Sequence, residues 1–124
     1  MIDIQASDRA MAGFLPVANP TDEVTHFRVS VTYSKGGINY FNYQNEPKGY
    51  WINVSPVKLE VKEYGSYWSA LLSKGFRHFV EEAPRFNKKK LDSLFSQLCD
   101  DVKNKTGIVT EIMNKVTNLE RVAV

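Results

Sequence analysis

Few residues in this sequence could perform nucleophilic or acid–base chemistry. Cys99 lies beside an apolar helical stripe, which favours a thiol packed in the core over a nucleophile. His78 could act as a base, although its basic neighbours favour surface packing or ligand contact. The adjacent carboxylates Glu81-Glu82 and Asp100-Asp101 point apart on a helix or a strand, so neither pair makes a two-carboxylate site. We therefore expect a binding protein and not an enzyme.

Cysteine and histidine usage also gives little support for a metal site. A single cysteine cannot form an intramolecular disulfide, and His26 and His78 lie too far apart for a ligand pair. We expect no metal and no cofactor. No early stretch joins basic residues to a long apolar run, so the sequence predicts a cytoplasmic protein without a membrane anchor.

Positive charge is concentrated in one stretch of the chain. Residues 74 to 90 carry a net charge of +4 and residues 1 to 24 carry −3, within a total of +2. An anion docked at the predicted helix start near Asn87 would be stabilised by side-chain charge, the helix dipole and first-turn amides. The simpler alternative is a solvated basic turn. The predicted anion- or partner-binding residues are Lys74, Arg77, His78, Arg85, Asn87, Lys88, Lys89 and Lys90.

Aromatic residues are frequent, at 12% of the chain. Rings interleaved with basic residues suit single-stranded nucleic acid or a nucleotide, because rings stack on bases and lysines contact phosphates. Most of these rings are equally typical of sheet-face or core positions. The predicted aromatic contacts are Tyr40, Tyr43 and Trp51.

Extended segments must position these side chains. Residues 27–33 alternate apolar and polar side chains and form the clearest predicted strand. The run Ser34-Lys35-Gly36-Gly37 lacks the spacing of a phosphate loop and predicts a tight hairpin turn into a second strand over 38–43. A third strand is predicted from residue 50, continuing past Pro56, and a fourth over 67–72. Residues 76–83 fit either an edge strand or a short helix.

Two amphipathic helices are predicted after the strands. Asn87 is a suitable N-cap, and apolar residues recur at helical spacing over 88–105. Gly107 is predicted to cap that helix, and a second stripe follows from Val109 to Leu119. We predict a single α+β domain over 25–124: an antiparallel sheet of about four strands, with both helices on one face. Residues 1–24, which have no sustained periodicity, are predicted to be a poorly anchored, flexible N-terminal arm.

Four short motifs resemble a group of small proteins from bacteriophages and mobile elements. They are Lys35-Gly36-Gly37-Ile38-Asn39-Tyr40-Phe41, Pro47-Lys48-Gly49-Tyr50-Trp51, Val54-Ser55-Pro56-Val57 and Arg85-Phe86-Asn87-Lys88-Lys89. The resemblance covers residues 27–95. This chain has Lys48 where the group has Arg, Trp51 where it has Tyr and Asn87 where it has Ser.

The resemblance implies an accessory protein in a host cell cytoplasm if the chain is phage-encoded. Such proteins often neutralise host defences, in the manner of anti-CRISPR inhibitors or by sequestering a nucleotide signal. The first hypothesis is therefore a non-enzymatic counter-defence inhibitor that binds an anionic ligand or a nucleic-acid-binding host partner. The alternative is a single-stranded nucleic-acid-binding protein of phage replication or recombination. Surplus aromatic side chains also predict a homo-oligomer.

Overall fold

One antiparallel sheet and two helices form the frame of the protein. The computed structural model describes residues 3–7, 9–17, 20–21, 24–40, 42–62, 65–70 and 75–122. Six strands make the main sheet: β1 Asp3–Ser7, β2 Ala10–Pro16, β3 His26–Ser34, β6 Gly49–Lys62, β7 Gly65–Ala70 and β8 Phe76–Glu82. Between β3 and β6, β4 Gly37–Asn39 and β5 Gln44–Glu46 pair only with each other. The helices are α1 Lys88–Asn104 and α2 Gly107–Val122.

The predicted class is confirmed: an α+β fold with an antiparallel sheet followed by two C-terminal helices. The strand order is β1-β2-β3-β6, and the other edge of β6 is shared by two strands. There, β8 pairs with residues 49–54 and β7 with residues 57–62, so β7 and β8 lie end to end. Residues 76–82 are therefore a strand and not a helical turn. The main sheet has six strands in the described part of the chain, where the sequence predicted about four.

The two additional strands come from the N-terminal segment that the sequence analysis treated as an arm. β2 pairs with β3 over seven residues, from Ala10 opposite Thr32 to Pro16 opposite His26. Ala12 and Phe14 are both 1% exposed. β3 is recognisable from sequence because its apolar residues are mostly β-branched or aromatic and alternate with polar ones. β2 lacks this pattern, since Ala12, one of its buried residues, is small and is followed by Gly13. β2 takes its place in the sheet by pairing with β3. A sequence pattern within β2 alone does not predict that pairing.

The helices cover the face of the sheet that carries the apolar residues of β3. Phe27, Val29, Val31 and Tyr33 alternate along that strand and pack in one core. The other core residues are Tyr50 and Val54 on β6, Leu91, Phe95 and Leu98 on α1, and Val109 on α2. This confirms the predicted docking of the α1 stripe, and it orients the start of α1 toward one end of the sheet.

The predicted hairpin between residues 27–33 and 38–43 is wrong. β3 pairs with β6, with Ser34 directly opposite Gly49, so residues 35–48 leave the main sheet and return to it. Gly36 and Gly37 do adopt the expected positive φ values, 69° and 108°. The local turn chemistry was thus read correctly, but local signals cannot decide which strand lies beside β3.

The prediction is correct for the N-terminal end of α1 and wrong for its C-terminal end. The Asn87 side chain caps the N-terminus by accepting the Lys89 and Lys90 amides at 2.9 and 3.3 Å. At the other end the left-handed cap is Lys105, with φ 57°, and not Gly107. Gly107 instead starts α2 with φ 80°, where a Cβ atom would lie 2.6 Å from an Asp101 carboxylate oxygen.

Candidate anion-binding surface

One end of the main sheet collects basic side chains from four places in the sequence. Strand register defines this end: Ser34 lies opposite Gly49, and Gly49 lies opposite Glu82. The β1–β2 turn lies there too, because the Tyr33 amide donates to the Arg9 carbonyl oxygen at 2.9 Å. We call this surface the basic end, and its cations are Arg9, Lys35, Lys48, Arg85, Lys88, Lys89 and Lys90.

The basic end has few acids to balance it. All of its cations are exposed except Lys90, which is half-buried. Lys88 pairs with Asp92 at 2.7 Å and Lys90 with Glu81 at 2.8 Å. Glu82 is the other acid there within the described residues, which leaves an excess of four positive charges. Exposed like charges gathered on one surface repel one another and attract a polyanion.

Two buried tyrosines fix the start of α1 at the basic end. The Asn87 amide donates to the Tyr50 hydroxyl at 2.9 Å, and that hydroxyl donates to the Asn87 carbonyl oxygen at 3.2 Å. The Tyr33 hydroxyl donates to the Ala83 carbonyl oxygen at 3.1 Å. The Tyr33 and Tyr50 rings pack together with centroids 5.2 Å apart. The basic helix start is therefore attached to the sheet by its own core residues.

At this helix start, side-chain charge offers an anion more than free backbone amides do. Asn87 already accepts two first-turn amides, so the sequence argument from unsatisfied amides is weakened. The first turn contains no acidic residue. The positive end of the helix dipole and the cations of the first turn have the same sign, so the dipole does not neutralise these cations.

A small hairpin projects between Lys35 and Lys48, and we call residues 37–46 the β4–β5 hairpin. Among its described residues it exposes three large apolar side chains: Ile38 at 61%, Tyr40 at 80% and Tyr43 at 83%. Tyr43 has φ 55°, a left-handed conformation that a bulky residue adopts at a cost of about 1 kcal/mol or more. Its amide donates to the Asn39 carbonyl oxygen at 2.7 Å. A strained and exposed tyrosine at this turn does nothing for the core.

The β4–β5 hairpin is braced against the sheet through Glu46. This carboxylate accepts from the Asn39 side-chain amide at 2.8 Å and from both terminal nitrogens of Arg77 at 2.9 and 3.3 Å. Those hydrogen bonds, that of Arg77 first, lower the pKa of Glu46. The Arg77 guanidinium carbon in turn lies 4.1 Å from the centroid of the Trp51 ring. The hairpin is thus held in one position relative to β6 and β8.

Trp51 lies on the sheet face away from the helices and is not an open stacking surface. It pairs with Thr32 on one side and Phe79 on the other, and the Phe79 ring meets its ring edge-on at 5.1 Å. Arg77 covers the ring, and the indole Nε1 is buried with no hydrogen-bond partner among the described residues. Of the three predicted aromatic contacts, only Tyr40 and Tyr43 are freely accessible.

The structure brings together part of the predicted basic site. Arg85, Asn87, Lys88, Lys89 and Lys90 all lie around the start of α1. Arg77 lies elsewhere, because it is opposite Asn53 on the Trp51 face and is bound to Glu46. His78 is exposed on β8 opposite Ile52, and Lys74 lies outside the described residues. The sequence analysis missed three cations of the basic end: Arg9, Lys35 and Lys48.

Cys99 and His26 are both partly buried. Burial raises the pKa of the half-buried Cys99 thiol, which disfavours the thiolate needed for nucleophilic attack. Burial lowers the pKa of His26, whose Nδ1 lies 2.7 Å from the Thr25 hydroxyl. In the described part of the chain no three side chains of His, Cys, Asp or Glu gather as a metal site.

Comparison with known families, curated proteins and solved structures returned no match to this chain. Among the described residues, neither helix is long and apolar enough to cross a membrane.

Proposed function

We propose that this protein binds a phosphate-bearing polyanion at its basic end and catalyses no reaction. The observation that carries the proposal is the convergence of seven cations, from four separate segments, on one end of the sheet. A basic run on a single turn would be an ordinary solvated feature. Cations delivered by several strand ends make an extended surface that fits a charged polymer better than one small anion.

Two cations of the basic end are not engaged in ion pairs in the described part of the chain. Arg85 and Lys89 are exposed, and no ion pair to either is found among the described residues. Removing them therefore leaves the core and the Asn87 cap in place. Because these two charges take no part in packing the core, they are available to bind a ligand. They can also be changed without unfolding the protein, which makes the binding role testable.

The test compares two double charge reversals on the same helix. Arg85→Glu with Lys89→Glu removes positive charge from the basic end, and Lys103→Glu with Lys105→Glu makes the same charge change at the far end of α1. Lys89 and Lys103 are about 21 Å apart along the helix axis. Fluorescence anisotropy with a labelled thymidine oligonucleotide should show at least about tenfold weaker binding, roughly 1.4 kcal/mol, for the first variant alone.

Melting temperatures within a few degrees of the parent will show that both variants are folded. Equal affinities of the parent and the Arg85/Lys89 variant would contradict the proposal. Equal losses in both double variants would mean that total charge matters and not the basic end.

The counter-defence role and the homo-oligomer stay predictions. The first is carried by the resemblance to phage and mobile-element proteins, and no described contact bears on a host protein. Binding of a polyanion is compatible with an inhibitor that occupies or withholds a nucleic-acid ligand.

A further inference from the structure

We infer that the polyanion is a single-stranded nucleic acid whose unpaired bases stack on Tyr40 and Tyr43 while its phosphates lie along the basic end. This inference rests on the proposed function, because it assigns the ligand class of the same surface. It adds a second contact region, the β4–β5 hairpin.

The position of the hairpin connects the two regions. Residues 35–48 leave and rejoin the main sheet at the paired residues Ser34 and Gly49. Lys35 and Lys48 therefore stand at its base, next to the other cations of the basic end. A strand with phosphates at this base would run beside the hairpin that carries both rings.

The hairpin rings are accessible in the way that base stacking requires. Tyr40 and Tyr43 are 80% and 83% exposed, and neither packs in the core cluster. Every base presents a flat aromatic face, so stacking on tyrosine tolerates any sequence but needs unpaired bases. In a duplex those faces are already stacked on their neighbours.

Backbone conformation supports a role for the Tyr43 ring that is independent of folding. With φ 55°, this position suits Gly or Asn better than Tyr. The Asn42 side chain already accepts the Gln44 amide at 3.0 Å, which stabilises the turn without the ring. A ring kept at this position against local preference points to contact with something outside the fold.

Bracing by Glu46 restrains the backbone of the hairpin that carries the rings. The carboxylate bonds both to Asn39 in β4 and to Arg77 in β8, so the hairpin is attached to the main sheet. Gly36 allows this close crossing of the hairpin base, because a Cβ atom there would lie 2.8 Å from the Glu46 carbonyl oxygen. A hairpin backbone that is restrained before binding has less conformational freedom to lose when a ligand docks.

The experiment compares two ligands that share a backbone: a thymidine oligonucleotide and an oligonucleotide of equal length made of abasic sites. The parent should bind the thymidine strand at least about tenfold more tightly than the abasic strand, since stacking contributes to each bound base. Tyr40→Ser with Tyr43→Asn should bind both strands with the affinity that the parent has for the abasic one. Tyr40→Phe with Tyr43→Phe keeps the rings and should behave as the parent.

The outcomes separate this inference from the proposed function. If the Ser/Asn variant binds the thymidine strand as the parent does, the hairpin does not stack on bases, and phosphate binding at the basic end still stands. If that variant loses affinity for both strands equally, the hairpin does not read bases and the inference is wrong. If Arg85→Glu with Lys89→Glu leaves the abasic strand bound as tightly as before, the proposed function itself fails.

Discussion

Two pairs of tyrosines occupy opposite environments in this protein. Tyr33 and Tyr50 are 8% and 1% exposed, and their hydroxyls are hydrogen-bonded to the segment that begins α1. Tyr40 and Tyr43 are four-fifths exposed on the β4–β5 hairpin. The buried pair determines where the helix starts, and the exposed pair contributes almost nothing to the packing of the fold. One residue type thus packs in the core at two positions and is open to solvent at two others in neighbouring segments.

The largest expected difference between the two regions is in packing. Phe95 is 4% exposed in the core cluster, so Phe95→Ala should lower the free energy of unfolding by about 3–5 kcal/mol through loss of contacts and a cavity. Ile38→Ala, at a position 61% exposed on the hairpin, should change it by less than about 0.5 kcal/mol. Urea titration measures both. Similar losses in the two variants would break the distinction between core and hairpin.

A smaller difference is expected when only a hydroxyl is removed. Tyr50→Phe leaves the Asn87 amide without its acceptor at a part-buried position, which should cost about 1 kcal/mol. Tyr40→Phe removes an exposed hydroxyl and should be neutral. Thermal melts followed by circular dichroism would detect the contrast. A Tyr50→Phe protein as stable as the parent would mean that the tyrosine does not hold the helix start.

The smallest expected effect is local and depends on pH. The pKa of Glu46 is lowered by its hydrogen bonds from Arg77 and Asn39, so its stabilising effect is present above the ordinary carboxyl range. That effect is lost as pH falls through the lowered value, and the β4–β5 hairpin should then loosen while the core stays folded. Amide chemical shifts of Asn39 and Tyr43 should report this transition. Glu46→Gln should remove it, and an unchanged acid transition in that variant would assign it to another group.

The fold was largely predictable because its strongest signals are local. The alternation along β3 and the Asn87 cap with its apolar stripe follow from residues close in sequence. β2 and the β3–β6 pairing were missed because both depend on contacts between distant segments. Gly36 and Gly37 predicted a turn correctly, but a turn does not say which strand lies beside which.

The candidate site shows the same limit. The cations after Arg85 were identifiable from sequence because they are consecutive. Lys35 and Lys48 join them only when β3 and β6 are paired with Ser34 opposite Gly49, and Arg9 joins them only when β2 is paired with β3. Arg77, although basic and nearby in sequence, points to the other sheet face because strand residues alternate sides. Better prediction of strand pairing would have found the first three and excluded the last.

Salt dependence of binding tests the central claim most directly. Each phosphate neutralised by a cation adds about 0.7 to the slope of log affinity against log salt concentration for a single strand. Affinities of the parent for the thymidine oligonucleotide, measured over a series of salt concentrations, should therefore fall steeply. Arg85→Glu with Lys89→Glu should make the slope shallower by about 1.4 or more, and Lys103→Glu with Lys105→Glu should leave it unchanged. Equal slopes for the parent and the Arg85/Lys89 variant would contradict binding of phosphates at the basic end.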